Sequence, residues 1–214
     1  MRSRFFGFLT QFLITWVTFI LIALVAITAQ AAQNIVIFGD SLSAAYGIQS
    51  NKGWVALLES KLKQQNSEYK VINASISGET TSGGLTRFDQ MLKTHQPEIV
   101  VIELGANDGL RGLSLNEMQS NLNNMIAKAK AKNAIVMLLG IKIPPNYGIQ
   151  YTQKFSAIYA TLAQKYDLNL VPFFLDGVAG NRKLIQDDGL HPNAVAQAKL
   201  LENIWPKLEE LLKK

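Results

Sequence analysis

The chain contains no cysteine and only two histidines. A disulfide framework is therefore excluded, and a zinc cluster is left without enough soft donors. The missing cysteine is compatible with an oxidising compartment without requiring one. Charge is also sparse, at 17% of residues, and no basic run reaches five or interleaves with aromatics, so nucleic-acid binding is not supported. Past residue 33 there is no internal repeat, low-complexity tract or linker. One domain with a sizeable core is the economical reading of 214 residues. No residue pattern calls for a metal or another cofactor, and a monomer is the default expectation.

What is present in excess is an apolar N-terminus. "MRSR" is a positive start, and "FFGFLTQFLITWVTFILIALVAIT" follows without a charge. "AQA" at 29–31 then offers small residues where a signal peptidase needs them. Residues 1–31 read as a secretory signal and residues 32–214 as the folded domain. The apolar stretch exceeds the roughly 7–15 residues of an ordinary signal core and approaches the ~20 that span a bilayer, so an uncleaved anchor is the alternative. Either way the body is exported. Setting aside Arg2 and Arg4 leaves 19 basic against 16 acidic side chains, a mild excess.

The rest alternates short β-branched runs with longer amphipathic segments. Strands are predicted at 34–38, 69–73, 98–103, 134–139 and 168–172, each nearly continuously apolar, as strands covered on both faces are. Helices are predicted near 52–66, 83–94, 115–131, 151–166 and 193–213, where apolar residues recur at i, i+3 and i+4. This β-α alternation predicts an α/β fold: a five-stranded parallel sheet inside a three-layer α/β/α sandwich. Right-handed crossovers suit a flavodoxin-like strand order of 2-1-3-4-5. Ligands in such sheets bind beyond the carboxyl ends of the strands.

Those ends carry the chemistry. The first strand opens into Gly39–Asp40–Ser41 and the second into "NASISGETTSGG" with Gly78. The third opens into "ELGANDG" with Asn107, and the fourth into "GIKIPPNYG". "QDDGLHPN", bearing Asp188 and His191, follows the last strand at a distance. Taken singly, each has an ordinary reading as a cap, turn or loop residue. Together they fill the roles of acyl transfer. Ser41 is the candidate nucleophile. Of the two histidines, His95 ends a helix, where it complements the helix dipole. That leaves His191 as the base. A carboxylate must hold its other ring nitrogen, and Asp188 at i−3 can do so, with Asp187 as competitor. The backbone N–H groups of Ser41 and Gly78 and the Asn107 amide are candidate oxyanion donors. The motif differs from the G-x-S-x-G elbow of α/β-hydrolases, because Ser43 stands where the second glycine belongs.

"FGDSLS", "SISG", "LGAND" and "DGLHPN" resemble the four blocks of the SGNH, or GDSL, hydrolases. The likeness extends through "NASISGET", "IELGANDGLRG", "PPNYG", "FSAIY" and "VPFF", over essentially the whole exported chain. It is closest to the bacterial periplasmic members with thioesterase, protease and lysophospholipase activities. The resemblance implies the SGNH variant of the flavodoxin-like fold and puts Ser41, Gly78, Asn107 and His191 on the name-giving positions. It favours Asp188 as the acid. It further implies hydrolysis of acyl esters and thioesters, among them acyl-CoA, lysophospholipid and simple esters, by a periplasmic enzyme, or by one anchored in the inner membrane and facing the periplasm. Asp108–Gly112 would move over the acyl chain, and Leu110, Ile143, Pro144 and Tyr147 would wall it. A carbohydrate O-deacetylase of the same fold is the nearer alternative, and a non-catalytic flavodoxin-like module the remoter one.

Overall fold

The computed structural model describes residues 33–213. The segment 1–31, and with it the choice between signal and anchor, lies outside the described residues. Among the described residues no helix is long and apolar enough to cross a membrane.

Five strands form one sheet: β1 (Asn34–Gly39), β2 (Lys70–Asn73), β3 (Ile99–Glu103), β4 (Ile135–Leu139) and β5 (Asn169–Val171). All neighbours are parallel, in the order β2-β1-β3-β4-β5, as the sequence predicts. Ile35, Val36, Ile37, Phe38 and Ile99 through Ile102 are fully buried. A strand covered on both faces has no solvent side for polar residues, which is why these runs do not alternate.

The helices are α1 (Trp54–Gln64), α2 (Thr81–His95), α3 (Ala106–Leu110), α4 (Leu115–Ala131), α5 (Ile149–Tyr166) and α6 (Gln197–Leu212). On one side of the sheet α1 packs on α6; on the other α2 packs on α4 and α4 on α5. Phe38 and Phe88 meet edge-on at 5.0 Å across the β1–α2 contact, and Trp54 and Phe174 meet at 5.7 Å. Side-chain caps set two helix starts. Thr80 accepts from the Gly83 N–H at 3.2 Å, and Ser114 accepts from the Glu117 N–H at 3.3 Å.

Two boundaries differ from expectation for identifiable reasons. The last helix starts at Gln197, not near 193, because the Asn193 side chain accepts from the Val195 and Ala196 N–H groups and folds the chain into turns first. The "NDGL" segment, expected as a loop, is the short helix α3. It is fastened where Asp108, itself buried, accepts from the Thr81 N–H at 2.8 Å and from the Thr81 hydroxyl.

Gly105, which turns β3 into α3, has φ +119°. A Cβ there would lie 2.4 Å from the Tyr159 hydroxyl oxygen and 2.6 Å from Met118 Cε. Gly112 has φ +66° with open space around it. Gly112→Ala should therefore cost only the dihedral strain of about 1–2 kcal/mol, whereas Gly105→Ala adds a steric clash and should lose at least a further ~1 kcal/mol. Urea unfolding of the two variants tests the ranking, and equal losses would refute the packing argument.

Candidate active site

Three adjacent strands end on one rim of the sheet. The central one, β1, releases the chain into a tight turn in which the Asp40 carbonyl accepts from the N–H groups of Ser43 and Ala44. Ser41 stands half-buried on that turn. Its Oγ is 2.9 Å from His191 Nε2, although the two residues are 150 positions apart. His191 Nδ1 is in turn 2.6 Å from Asp188 Oδ2. A carboxylate only accepts, so this contact places the proton on Nδ1 and leaves the Nε2 lone pair facing the serine hydroxyl.

The acid is held by its own loop. Asp188 Oδ1 accepts from the backbone N–H groups of Leu190 and His191, each at 2.9 Å. Partial desolvation pushes the Asp188 pKa upward. The two backbone donors and the imidazole outweigh it and bring the pKa down to about 2. Asp188 is thus ionised at any ordinary pH. Asp187 is exposed on the edge of a neighbouring shallow hollow and is not bonded to the imidazole. His95, half-buried, ends α2, which leads back to the amino ends of the strands, and its carbonyl accepts from the Asn34 amide at 2.7 Å.

Gly78 comes from the loop after β2 and Asn107 from the start of α3, directly after β3, where it lines one cavity with Ser41. Gly78 has φ +79°. The Asn107 amide nitrogen donates to Asp40 Oδ2 at 3.1 Å and to the Glu79 carbonyl at 3.0 Å, so both its hydrogens are engaged. Arg111 bridges the same two loops, donating to the Gly78 carbonyl at 3.0 Å and to Asn107 Oδ1 at 3.4 Å. Beneath them Arg87 donates to the Ala74 carbonyl at 2.7 Å and pairs with Glu79 at 2.6 Å.

Two carboxyls, Asp40 and Glu103, lie beside the Ser41 turn with no exposed surface. Asp40 accepts from the Leu42 N–H at 3.0 Å as well as from Asn107. Burial raises its pKa to about 6; the bonds to Leu42 and Asn107 and the charge of His191 pull it down, and the charge of Asp108 pushes it up. Glu103 Oε2 accepts from the Ser43 hydroxyl at 2.7 Å and from the Asp40 N–H at 3.4 Å. Burial, and after it the neighbouring Asp40 charge, push the Glu103 pKa well above its ordinary value, which favours the protonated form. Gly39 makes room for it, since a Cβ there would lie 2.7 Å from Glu103 Oε2.

Beside Ser41 and His191 opens a cavity of about 600 Å³ whose walls include Leu42, Leu110, Ile143, Pro144 and Leu175. Leu110, Ile143 and Pro144 are thus where an acyl wall was expected. Tyr147 stands off the lining, and its hydroxyl donates to the Leu110 carbonyl at 2.9 Å.

Sequence reasoning passed over several residues that shape this site. Tyr46 lies against the His191 ring, 4.5 Å between centroids. Arg87, Arg111 and Glu103 were also not singled out. For Glu103 a signal existed, an acid closing an otherwise apolar strand in "EIVVIELG". Nothing in the spacing of Arg87 or Arg111 marks them as loop braces.

The model of the GDSL-like lipase/acylhydrolase family matches residues 37–199. Esterase TesA of Pseudomonas aeruginosa is 50% identical over 192 residues, covering 89% of this chain and 96% of the relative. The thioesterase 1/protease 1/lysophospholipase L1 of Escherichia coli K12 is 42% identical over 194 residues, covering 91% and 92%. Among solved structures, the psychrotrophic esterase EstA from Pseudoalteromonas sp., inhibited by monoethylphosphonate, matches with a TM-score of 0.81 at 43% identity, covering 85% of this chain and all of that one.

The buried acids make stability depend on pH in a defined direction. Asp40 holds its proton to about pH 6 when folded, against an ordinary value of 3.8. Its contribution is therefore complete below pH ~4 and is lost as pH rises through about 6. Glu103 adds a loss of the same sign that extends to higher pH. Asp40→Asn should remove about one proton's worth of slope, ~1.4 kcal/mol per pH unit, from this window. Urea midpoints at pH 4, 5 and 6 measure it, and an unchanged slope would contradict the buried-acid assignment.

Proposed function

The chain belongs to the GDSL-like lipase/acylhydrolase family and is an ester hydrolase, and from that premise we propose that it works as an exported serine acyl-hydrolase through Ser41, His191 and Asp188. The observation that carries this reading is the continuous chain of contacts from Ser41 Oγ through the imidazole to Asp188, 2.9 Å and 2.6 Å long.

In this reading His191 Nε2 takes the serine proton as Oγ attacks the acyl carbonyl carbon. The resulting imidazolium is stabilised by Asp188, which remains a carboxylate throughout. The tetrahedral oxyanion receives the N–H groups of Ser41 and Gly78 and one Asn107 amide hydrogen, which Asn107 transfers from the Glu79 carbonyl. His191 then protonates the departing alkoxide or thiolate, leaving the acyl group on Ser41. Water, deprotonated by the same imidazole, attacks the acyl-enzyme and releases the acid. No step calls for a metal or cofactor.

The substrate class follows from the wall chemistry. A cavity of about 600 Å³ with Leu42, Leu110, Ile143, Pro144 and Leu175 among its walls suits an aliphatic acyl chain and offers few partners for sugar hydroxyls. Medium- or long-chain esters, acyl-CoA thioesters and lysophospholipids are the proposed substrates, ahead of acetylated carbohydrate. The name of the Escherichia coli relative, a thioesterase and lysophospholipase, supports the same choice. Export to the periplasm by residues 1–31, cleaved or retained, and a monomeric working form complete the proposal.

A fluorophosphonate probe should label the wild type and leave Ser41→Ala unlabelled, as the phosphonate-inhibited Pseudoalteromonas relative suggests. His191→Gln should lower kcat by at least about 10³, while His95→Gln stays within twofold of wild type. Esterase activity surviving in Ser41→Ala, or the opposite ranking of the two histidines, would refute the assignment.

A further inference from the structure

The large apolar side chains left in water are not scattered. Seven are exposed among the described residues, and six of them lie on loops at the carboxyl rim of the sheet: Tyr46, Ile76, Leu113, Tyr147, Ile149 and Leu190. Contacts already described tie these loops to the mouth of the cavity. Tyr46 packs on His191. Arg111 joins the Ile76–Gly78 loop to Asn107. Tyr147 bonds Leu110, and the Tyr151 hydroxyl donates to the Gly109 and Leu113 carbonyls at 3.3 and 3.4 Å. Ile149, the first residue of α5, is 72% exposed, and neither it nor Leu113 lines the cavity. Serving the acyl chain does not account for them. A cluster of this kind marks an interaction surface.

Charge identifies the occupant. Lys142 lines the cavity, Arg182 lines a hollow that shares Gly180, Ile185 and Gly189 with it, and Arg111 grips Gly78 and Asn107 on its rim; none of the three has an ion-pair partner among the described residues. The Lys142 ammonium lies over the Phe173 ring, 4.7 Å from its centroid, which holds the charge at the cavity wall. Of the carboxylates nearby, Asp188 is held by His191 and Glu79 by Arg87, while Asp187, Asp176 and Glu117 have no ion-pair partner among the described residues. Exposed apolar side chains interleaved with unpaired cations are the surface chemistry that binds the interface of an anionic bilayer.

We propose that this rim is a docking face for an anionic lipid surface, which it meets with Leu113 and Ile149 inserted and the cations against the headgroups. An acyl chain leaving that surface would enter the cavity beside Ser41 without crossing bulk water. The inference rests on the acyl-hydrolase reading, which gives the cavity its cargo.

Because the chain has no cysteine, a single one can be labelled cleanly. Ile149→Cys, Leu113→Cys and Lys132→Cys, the last on the exposed C-terminal end of α4 at the opposite edge of the sheet, would carry an environment-sensitive fluorophore on the full chain. With phosphatidylcholine vesicles containing phosphatidylglycerol, emission at 149 and 113 should shift to the blue and emission at 132 should stay put. The readout is which face meets lipid, so it holds whether or not residues 1–31 remain attached. Arg182→Gln with Lys142→Gln should weaken the response by roughly tenfold or more. An equal shift at 132, no shift at all, or an equal response to pure phosphatidylcholine would overturn the proposal. So would a shift that needs no vesicles and grows with protein concentration, which would mark a contact between copies. If labelled Ile149→Cys hydrolyses a soluble short-chain ester without any shift, docking fails and the hydrolase reading stands. Activity retained in Ser41→Ala would sink the hydrolase reading and leave the emission result as it is.

Discussion

The pairing of β1 with β2 along one edge and β3 along the other is the constraint from which the rest follows. Parallel strands in register end at the same level, so the three loops that leave them begin within a few ångströms of one another. Between β1 and β3 the strand order reverses, and neighbouring loops there diverge to opposite faces of the sheet, opening a crevice. Ser41, Gly78 and Asn107 stand on those three loops. A slip of one residue in either pairing would exchange the two packed faces of β1, misfitting its side chains to the helices on either side, and move Ser41 off the crevice. The apolar content of the strands thus fixes the chemistry's geometry although no apolar strand residue takes part in it.

Holding those loops requires polar groups in a place that does not favour them. Asp40 and Glu103 are buried side by side, and two carboxylates so placed would repel across a low-dielectric gap. Burial and then the Asp40 charge push Glu103 well above its ordinary value, while Asp40 is raised chiefly by its own burial. The benefit is geometric. Asp40 ties the nucleophile turn, through Leu42, to Asn107. Glu103 ties Ser43 back to the end of β3. These acids act as braces under the serine, and their burial costs stability that the apolar sheet must offset.

The parts of this architecture that repeat along the chain were readable from sequence; the parts that depend on one side chain reaching across space were not. Period and run length placed the strands within a residue or two, because burial on both faces leaves a continuous apolar signature. The turn at Asn193 escaped because a side chain competing for two backbone donors leaves no periodic trace, and Pro192 beside it reads equally as a helix start. The four glycine- and polar-rich blocks put Ser41, Gly78, Asn107 and His191 on one rim, and the structure sets Ser41 and His191 in contact. Arg87 and Arg111 were invisible by contrast. Each sits in an amphipathic or loop segment where an exposed arginine is ordinary, and only the fold shows what its guanidinium grips. Tyr147, an aromatic in the same loop as Ile143 and Pro144, is not among the cavity's lining residues and instead bonds the carbonyl of Leu110, which is.

On the acyl-hydrolase mechanism proposed above, the Asn107 amide shows what such bracing means for catalysis. Both of its hydrogens are engaged at rest, one by the Asp40 carboxylate and one by the Glu79 carbonyl. A neutral carbonyl binds its donor less strongly than a carboxylate does, so the bond to Glu79 is the one that yields when an alkoxide forms beside Ser41. The bond to Asp40 persists and keeps the amide aimed. Exchange of a carbonyl for an anion strengthens the hydrogen bond at the moment charge develops, and little reorganisation accompanies it. The ground-state carbonyl of an ester, no better an acceptor than Glu79, gains nothing from the exchange. The donor therefore discriminates in favour of the tetrahedral state, and it does so because its resting partners are already in place.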